Sequence, residues 1–256
     1  MHLLVKGARN FGLELTSAQL RAFEVYYQEL KQWNPKANLT AIMDCEEVQL
    51  KHFLDSLSIY CLDEFREALR TKPSLRVLDL GTGAGFPGIP IKIISPSIKL
   101  TLLDSTHKKI RFLKHIVQRL ELEGVEIIWG RAEAVAHQQH HRESYDFVVA
   151  RAVAEMPILA EYTLPFCKVG GYVVAYKGPK ASREVEAAKT ALSLLGGKLL
   201  RLHPVELKGL HEARSLVLLV KVSPTLSAYP RRPGIPEKRP LGVKVASSQR
   251  TLTHRN

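Results

Sequence analysis

The chain has 256 residues, 45% of them hydrophobic, which supplies ample core and argues against wholesale disorder. Lys and Arg total 37 against 25 acids, a formal charge of +12 that favours a polyanionic partner, because each neutralised phosphate releases a condensed counterion. No apolar run approaches the roughly 18 residues of a membrane span; no signal peptide is visible; and Cys45, Cys61 and Cys167 are too scattered for a disulfide framework or a structural zinc site, so a reducing cytoplasm is expected.

In chain order, Leu20, Phe23, Tyr27 and Leu30 recur at spacings of three and four and predict an amphipathic helix over 17–33. Asn34-Pro35 is expected to stop it. A second helix is expected from Asp44, with Asp44 as cap and Glu47 three residues on. Residues 1–73 therefore read as a small helical subdomain. From 74 to 222 short β-rich runs alternate with helical patterns, the signature of a mostly parallel α/β sheet. Strands are expected at 75–80, 98–103, 125–129, 145–150, 171–176, 199–206 and 215–222, with helices near 87–94, 106–122, 154–164 and 181–194. Gly170-Gly171 and Gly196-Gly197 read as turns. The last two strands leave no room for an intervening helix and should form an antiparallel hairpin. Residues 223–256 hold five prolines and seven Arg or Lys (Arg231, Arg232, Lys238, Arg239, Lys244, Arg250, Arg255) against Glu237 alone, half of the net charge. They read as an extended, partly disordered basic tail.

The chemistry concentrates at VLDLGTGAGFPG, residues 77–88. A strand ending at Asp79 and opening into Gly81-x-Gly83-x-Gly85 lets backbone and ligand approach closely, although such a loop alone is a weak signal. The dinucleotide fingerprint requires its third glycine where this chain has Phe86, and no Gly-Lys-Ser/Thr follows for a Walker loop. Asp104 ends the second strand, where a carboxylate suits either a ribose diol or a helix N-cap. The third strand exits into Gly130-Arg131-Ala132-Glu133, a polar end able to meet an adenine edge, and the fourth ends at Arg151. In an open α/β sheet these ends converge on one crevice.

Taken with WNPKANLT at 33–40, HFLDSL at 52–57, LDLGTGAGFPGIPI at 78–91, LLDSTHKK at 102–109, GRAE at 130–133, ARAV at 150–153, YKG at 176–178 and RRPGIPEKRPL at 231–241, the chain resembles the RsmG (GidB) family. The resemblance implies an α/β class I S-adenosylmethionine-dependent methyltransferase with a Rossmann-like, mostly parallel seven-stranded sheet. It implies a terminal antiparallel hairpin, a small N-terminal helical subdomain, and action on guanine N7 in 16S rRNA of the small ribosomal subunit. It implies that S-adenosyl-L-methionine meets Gly81, Phe86, Asp104, Ser105, Thr106, Ala132, Glu133 and Arg151, with the sulfonium tolerated near Asp79 and Glu133. A His/Arg-rich stretch at 137–142 and a longer tail after Leu241 depart from the family pattern.

Guanine N7 needs no deprotonation, so no general base is expected; catalysis should come from positioning, with Arg151 the candidate. A strong donor on N7 would block the nucleophile, so an Arg should address O6, phosphate or cofactor. Arg151 could instead pair with Glu133 or Glu155. RNA contacts are expected from Lys108, Arg131, Arg151 and Lys177, and a stacking aromatic from Phe86, Tyr176 or Trp33. His52 and Asp55 could form a relay or merely a helix-surface hydrogen bond. His137, His140 and His141 read as surface residues, and no metal is expected. A monomer acting in the cytoplasm without a membrane is the implied setting. The rival readings are a nicotinamide-dependent oxidoreductase, a non-catalytic RNA-binding module and a small-molecule methyltransferase.

Overall fold

In a computed structural model, residues 1–210 and 212–243 are described. Lys244, Arg250 and Arg255 of the expected basic tail lie outside them. The helical segment before the sheet comprises α1 (His2–Ala8), α2 (Ser17–Ala37), α3 (Cys45–Val48), α4 (Asp55–Leu57) and α5 (Asp63–Thr71). Thr16 and Gln19 cap α2 reciprocally. Pro35 does not stop it: the proline sits in the last turn, and Asn34 Oδ1 accepts from the amides of Leu39 and Thr40 just beyond. The proline costs the Lys31 carbonyl its backbone donor, while the Asn34 side chain caps the turn that follows, and the helix ends four residues later than expected. Asp44 caps α3 through the amides of Glu46 and Glu47, as expected, but Glu47 turns to Lys51 instead of completing a capping box. Between α3 and α4 the helix widens to a π turn over Gln49–Leu54.

Seven strands follow: β1 (Arg76–Leu80), β2 (Lys99–Asp104), β3 (Val125–Trp129), β4 (Tyr145–Arg151), β5 (Cys167–Lys177), β6 (Gly197–Val205) and β7 (Arg214–Lys221). Their order is β3-β2-β1-β4-β5-β7-β6, parallel from β3 to β5 and antiparallel across β7. This is the seven-stranded class I methyltransferase arrangement, with the hairpin where it was expected. The expected turn at Gly170-Gly171 instead lies inside β5. There Tyr145 and Phe147 of β4 face Cys167 and Tyr172, so the intervening residues bulge, with Gly170 at φ +81°.

Strand residues alternate between two cores. Val77, Leu100, Phe147, Val149, Val174 and Leu218 pack with α1, α2, α5, α6 (Gly88–Ile94) and α7 (His107–Arg119). Leu78, Leu103, Val148, Val173, Val217 and Leu219 pack with α8 (Ala132–Val135), α9 (Met156–Thr163), α10 (Ala181–Ala187) and α11 (Lys189–Leu194). The N-terminal helices thus share one core with a face of the sheet, which brings residues 40–55 to the carboxyl ends of β4 and β5.

The segment after β7 differs from the extended tail expected: through residue 243 it lies against the molecule and includes α12 (Ile235–Lys238). Arg142 donates to the carbonyls of Thr225, Leu226 and Tyr229, and His137 bonds to the carbonyl of Pro230. The His/Arg stretch is therefore the cradle of this segment. Arg231 adds a two-pronged ion pair to Glu161, whose side chain is 0% exposed.

Removing one partner of that pair strands a buried charge. Arg231→Ala should lower unfolding free energy by about 3 kcal/mol, and adding Glu161→Gln should recover part of the loss. Denaturant midpoints of the two proteins test this.

Candidate functional site

The glycine loop leaves β1 over a buried carboxylate. Asp79 Oδ2 accepts from Thr82 Oγ1 at 2.6 Å and from the Gly88 amide at 2.7 Å, while Oδ1 has no partner. A Cβ on Gly88 would lie 2.8 Å from that Oδ2 and from Leu102, so Gly88 performs the helix–strand packing that the dinucleotide fingerprint gives to its third glycine. At Gly81 φ is +68°, and a Cβ there would meet Val153 Cγ2 at 2.6 Å.

Asp104 closes the loop from the neighbouring strand. Its two oxygens accept from the amides of Gly83 and Thr106 at 2.9 and 2.8 Å. It is not the N-cap of α7, whose first turn makes no side-chain cap bond. Gly81, Asp104, Ser105, Arg131, Ala132 and Glu133 line one cleft of about 140 Å³ with Val153, Tyr162 and Glu237. Five of the eight residues expected at the cofactor are thus together. Thr106 adjoins them through Asp104. Phe86 and Arg151 stand on the other side of Val153, and Asp79 lies beneath the loop without lining the cleft. The segment after β7 completes the wall: Gly234 donates to Glu133 Oε1 at 3.0 Å, and Tyr162 donates to Glu237 at 3.2 Å.

Val153 also lines a second cavity of about 560 Å³, with His52, Asp55, Arg151, Tyr176, Lys177 and Arg214 among its walls. Ala152, between Arg151 and Val153, holds φ +54°, a costly conformation for a residue with a Cβ and one that re-aims the chain at the strand end. Arg151 pairs with neither Glu133 nor Glu155. It donates to Asp55 Oδ2 at 2.8 Å and to the Lys51 carbonyl at 2.9 Å, contacts His52 Nδ1 at 3.3 Å, and lies over the Phe86 ring at 5.1 Å. His52 and Asp55 thus form neither a relay nor a direct bond, because the guanidinium sits between them. The His52 ring stacks on Phe86 at 4.6 Å, and its Nε2 is hydrogen-bonded to Thr40 Oγ1. Burial, then the charges of Arg151 and Lys51, lower its pKa to about 3.

The expected RNA contacts divide. Lys108 and Arg131 are exposed. Lys177 is not free: its ammonium donates to the Ala154 carbonyl and to Glu184, each at 2.6 Å, and its side chain is 11% exposed. Arg151 is likewise committed. Lys108 lines a third cavity, about 420 Å³, with Trp33, Lys36 and Arg111. Lys36 and Arg111 were missed, although Arg111 lies one helical turn beyond Lys108. Phe86 and Tyr176 are buried, and Tyr176 donates to the Ser56 carbonyl, so neither presents a free stacking face. His141 bonds to Tyr145, and no metal-ligating cluster of three exists among the described residues.

The family profile described as rRNA small subunit methyltransferase G (GidB) matches residues 19–216. A Ribosomal RNA small subunit methyltransferase G of Dehalococcoides mccartyi (strain CBDB1) is 49% identical over 241 residues, covering 94% of this chain and 100% of the relative. The protein of that name from Desulforamulus reducens is 46% identical over 238 residues, covering 93% and 97%. The one from Roseiflexus sp. (strain RS-1) is 46% identical over 241 residues, covering 94% and 100%.

Burial raises the pKa of Asp79 from 3.8 to about 7, against the opposing hydrogen bonds of Thr82 and Gly88 and the charge of Arg151. Between those values the folded protein keeps a proton that the unfolded chain has released, so this group's contribution to stability falls as pH rises. Relative to Asp79→Asn, the wild type should lose up to about 1.4 kcal/mol per pH unit across that window. His52 contributes in the opposite sense in both proteins and cancels. Unfolding free energies of the pair from pH 4 to 8 measure the difference.

Proposed function

Because the chain belongs to the rRNA small subunit methyltransferase G family, we propose that it transfers a methyl group from S-adenosylmethionine to guanine N7 in 16S rRNA of the small ribosomal subunit, by direct displacement without a general base. The supporting observation is the single seam at Val153, which joins a carboxylate-lined cleft beside the glycine loop to a larger polar cavity.

The residues present fit the cofactor. Asp104, Glu133 and Glu237 all line the cleft, an acceptor set suited to a ribose diol, an amine and a cation and hostile to a pyrophosphate. That composition disfavours a nicotinamide dinucleotide. The cofactor supplies a methyl group activated by positive charge on sulfur. Around it, Gly81 gives backbone approach, Asp104 to Thr106 address the ribose, and Ala132 and Glu133 address the adenine. Arg151 spends part of its fork on Asp55 and Lys51, which fixes its plane over Phe86. Because it stands across Val153 from the cleft, Arg151 is proposed to hold the wall between the two cavities and not to activate the base.

N7 carries an exposed lone pair, and the gain available from holding it in line with the donor is at most about 7–11 kcal/mol. The RNA face is proposed to include Lys36, Lys108, Arg111 and Arg131, which are exposed or line the cavity beside Trp33. The enzyme is proposed to act as a monomer in the cytoplasm; no helix among the described residues is long and apolar enough to cross a membrane.

Incubation of small-subunit rRNA with the protein and methyl-labelled cofactor should yield N7-methylguanosine at one mapped nucleotide. Tight binding of NAD with no uptake of S-adenosylmethionine would overturn the reading. Gly81→Ala must both adopt a left-handed conformation and displace Val153. It should weaken cofactor binding at least ~10-fold, by calorimetry, while circular dichroism stays native.

A further inference from the structure

The 560 Å³ cavity beyond Val153 holds a carboxylate that the cofactor reading does not use. Asp55 is nearly buried, with a side chain 8% exposed, yet it lines this cavity. Oδ2 accepts from Arg151, and Oδ1 makes no hydrogen bond among the described residues; the Arg214 guanidinium stands 3.9 Å from it. An ionised carboxylate offers about four acceptor sites. Most of those on Asp55 therefore have no donor among the described residues.

We propose that this cavity receives the acceptor guanine, with its N1–H and N2–H donated to Asp55 and its N7 edge turned toward Val153. The proposal rests on the methyltransferase reading above and adds what selects the base.

The chemistry is directional. Guanine presents two adjacent donors on its Watson–Crick edge, the pattern a carboxylate accepts side by side. Adenine presents an acceptor at N1, which would face the carboxylate with no proton between them. A pyrimidine carries no N7 to receive the methyl group. Capture by the Watson–Crick edge also leaves N7 and O6 uncovered, whereas the commoner Arg fork on O6 and N7 would block the reacting atom. Such an edge is accessible only in an unpaired or extruded nucleotide. Arg214, beside Oδ1 and also paired with the exposed Glu212 at 2.9 Å, is the cation nearest to where O6, the neighbour of N1, would lie. Its position follows from topology: β7 runs antiparallel to β5, so its first residues lie at the carboxyl end of the parallel strands, with Ser215 opposite Lys177. Among the other lining residues, Lys177 is paired with Glu184, and Ile42 and Val153 are apolar.

The test uses the full chain and a methyl-accepting rRNA substrate carrying guanosine or inosine at the methylated position. Inosine lacks only the 2-amino group and keeps N7, O6 and N1–H. Wild type should methylate the inosine substrate roughly 10- to 100-fold less efficiently, the cost of one hydrogen bond lost from a charged acceptor. In Asp55→Asn the guanosine rate should fall, and the ratio between the two substrates should drop below about threefold. Affinity for S-adenosylmethionine, measured separately by calorimetry, should change by less than about threefold. Equal wild-type rates on the two substrates, or an undiminished ratio in Asp55→Asn, would overturn the assignment of Asp55 and leave the methyltransferase reading intact. No transfer to guanosine RNA by the wild type would instead remove the methyltransferase reading, and the base pocket with it.

Discussion

Arg151 places a permanent positive charge at the end of β4, on the face of the sheet that is otherwise buried beneath the N-terminal helices. A guanidinium is tolerable there only because the 45–61 segment supplies a carboxylate, a backbone carbonyl and a ring nitrogen around it, at Asp55, Lys51 and His52. The same contacts fix where that segment lies. With Arg151 held, Phe86 is clamped between Tyr26, His52 and the guanidinium, and the glycine loop is tied to α2 through the bond from Tyr26 to the Ala84 carbonyl. The helical layer therefore does more than cover a sheet face. It sets the wall of the cavity beyond Val153 and the back of the glycine loop together.

The opposite wall has a different construction. Residues 229–239 reach the cleft from beyond β7 and are held by groups that never touch it: Arg142 and His137 from the stretch before β4, and Glu161 from α9. Arg142 satisfies four backbone carbonyls, those of Ala136, Thr225, Leu226 and Tyr229. A cation spent in this way orders chain and is withdrawn from any polyanion. The same holds for Arg231, and for Lys221, which is buried beside Leu164, Leu195 and Thr225. Net charge thus overstates the surface available to RNA, and the basic tail is in part internal scaffolding.

This explains what the sequence reveals and what it hides. The glycine loop, Asp104 and the 130–133 exit are legible because each lies at the end of a β-rich run, and parallel topology forces such ends together. The strands are legible as short β-rich runs because a core covers each face of the sheet, so most of them are apolar on both sides. Asp55 and Arg151 are 96 residues apart, and nothing local to either indicates the other. Their pairing also displaces the His52–Asp55 contact suggested by a spacing of three. Arg214 enters the site only through an antiparallel strand inserted between β5 and β6. Lys177 sits at a strand end, where exposure was expected, but Glu184 on α10 neutralises it. Pro35 was read as a stop because the proline rule is local, whereas Asn34 caps the chain beyond it.

Three ionisable groups stand in or beside the cavity beyond Val153: His52, Asp55 and Asp79. A group that removes a proton must be ionisable near neutrality and must have a free acceptor facing the substrate. His52 stays neutral, but both ring nitrogens are engaged, by Thr40 and Arg151. Asp79, the carboxylate whose pKa is lifted to about 7, is fully buried beneath the loop and faces neither cavity. Asp55 has acceptors free and lies between the guanidinium groups of Arg151 and Arg214, an arrangement suited to receiving hydrogen bonds. The arrangement suits a nucleophile whose lone pair is already exposed; under the reading proposed above, guanine N7 meets that condition while leaving two donors on the far edge to be held.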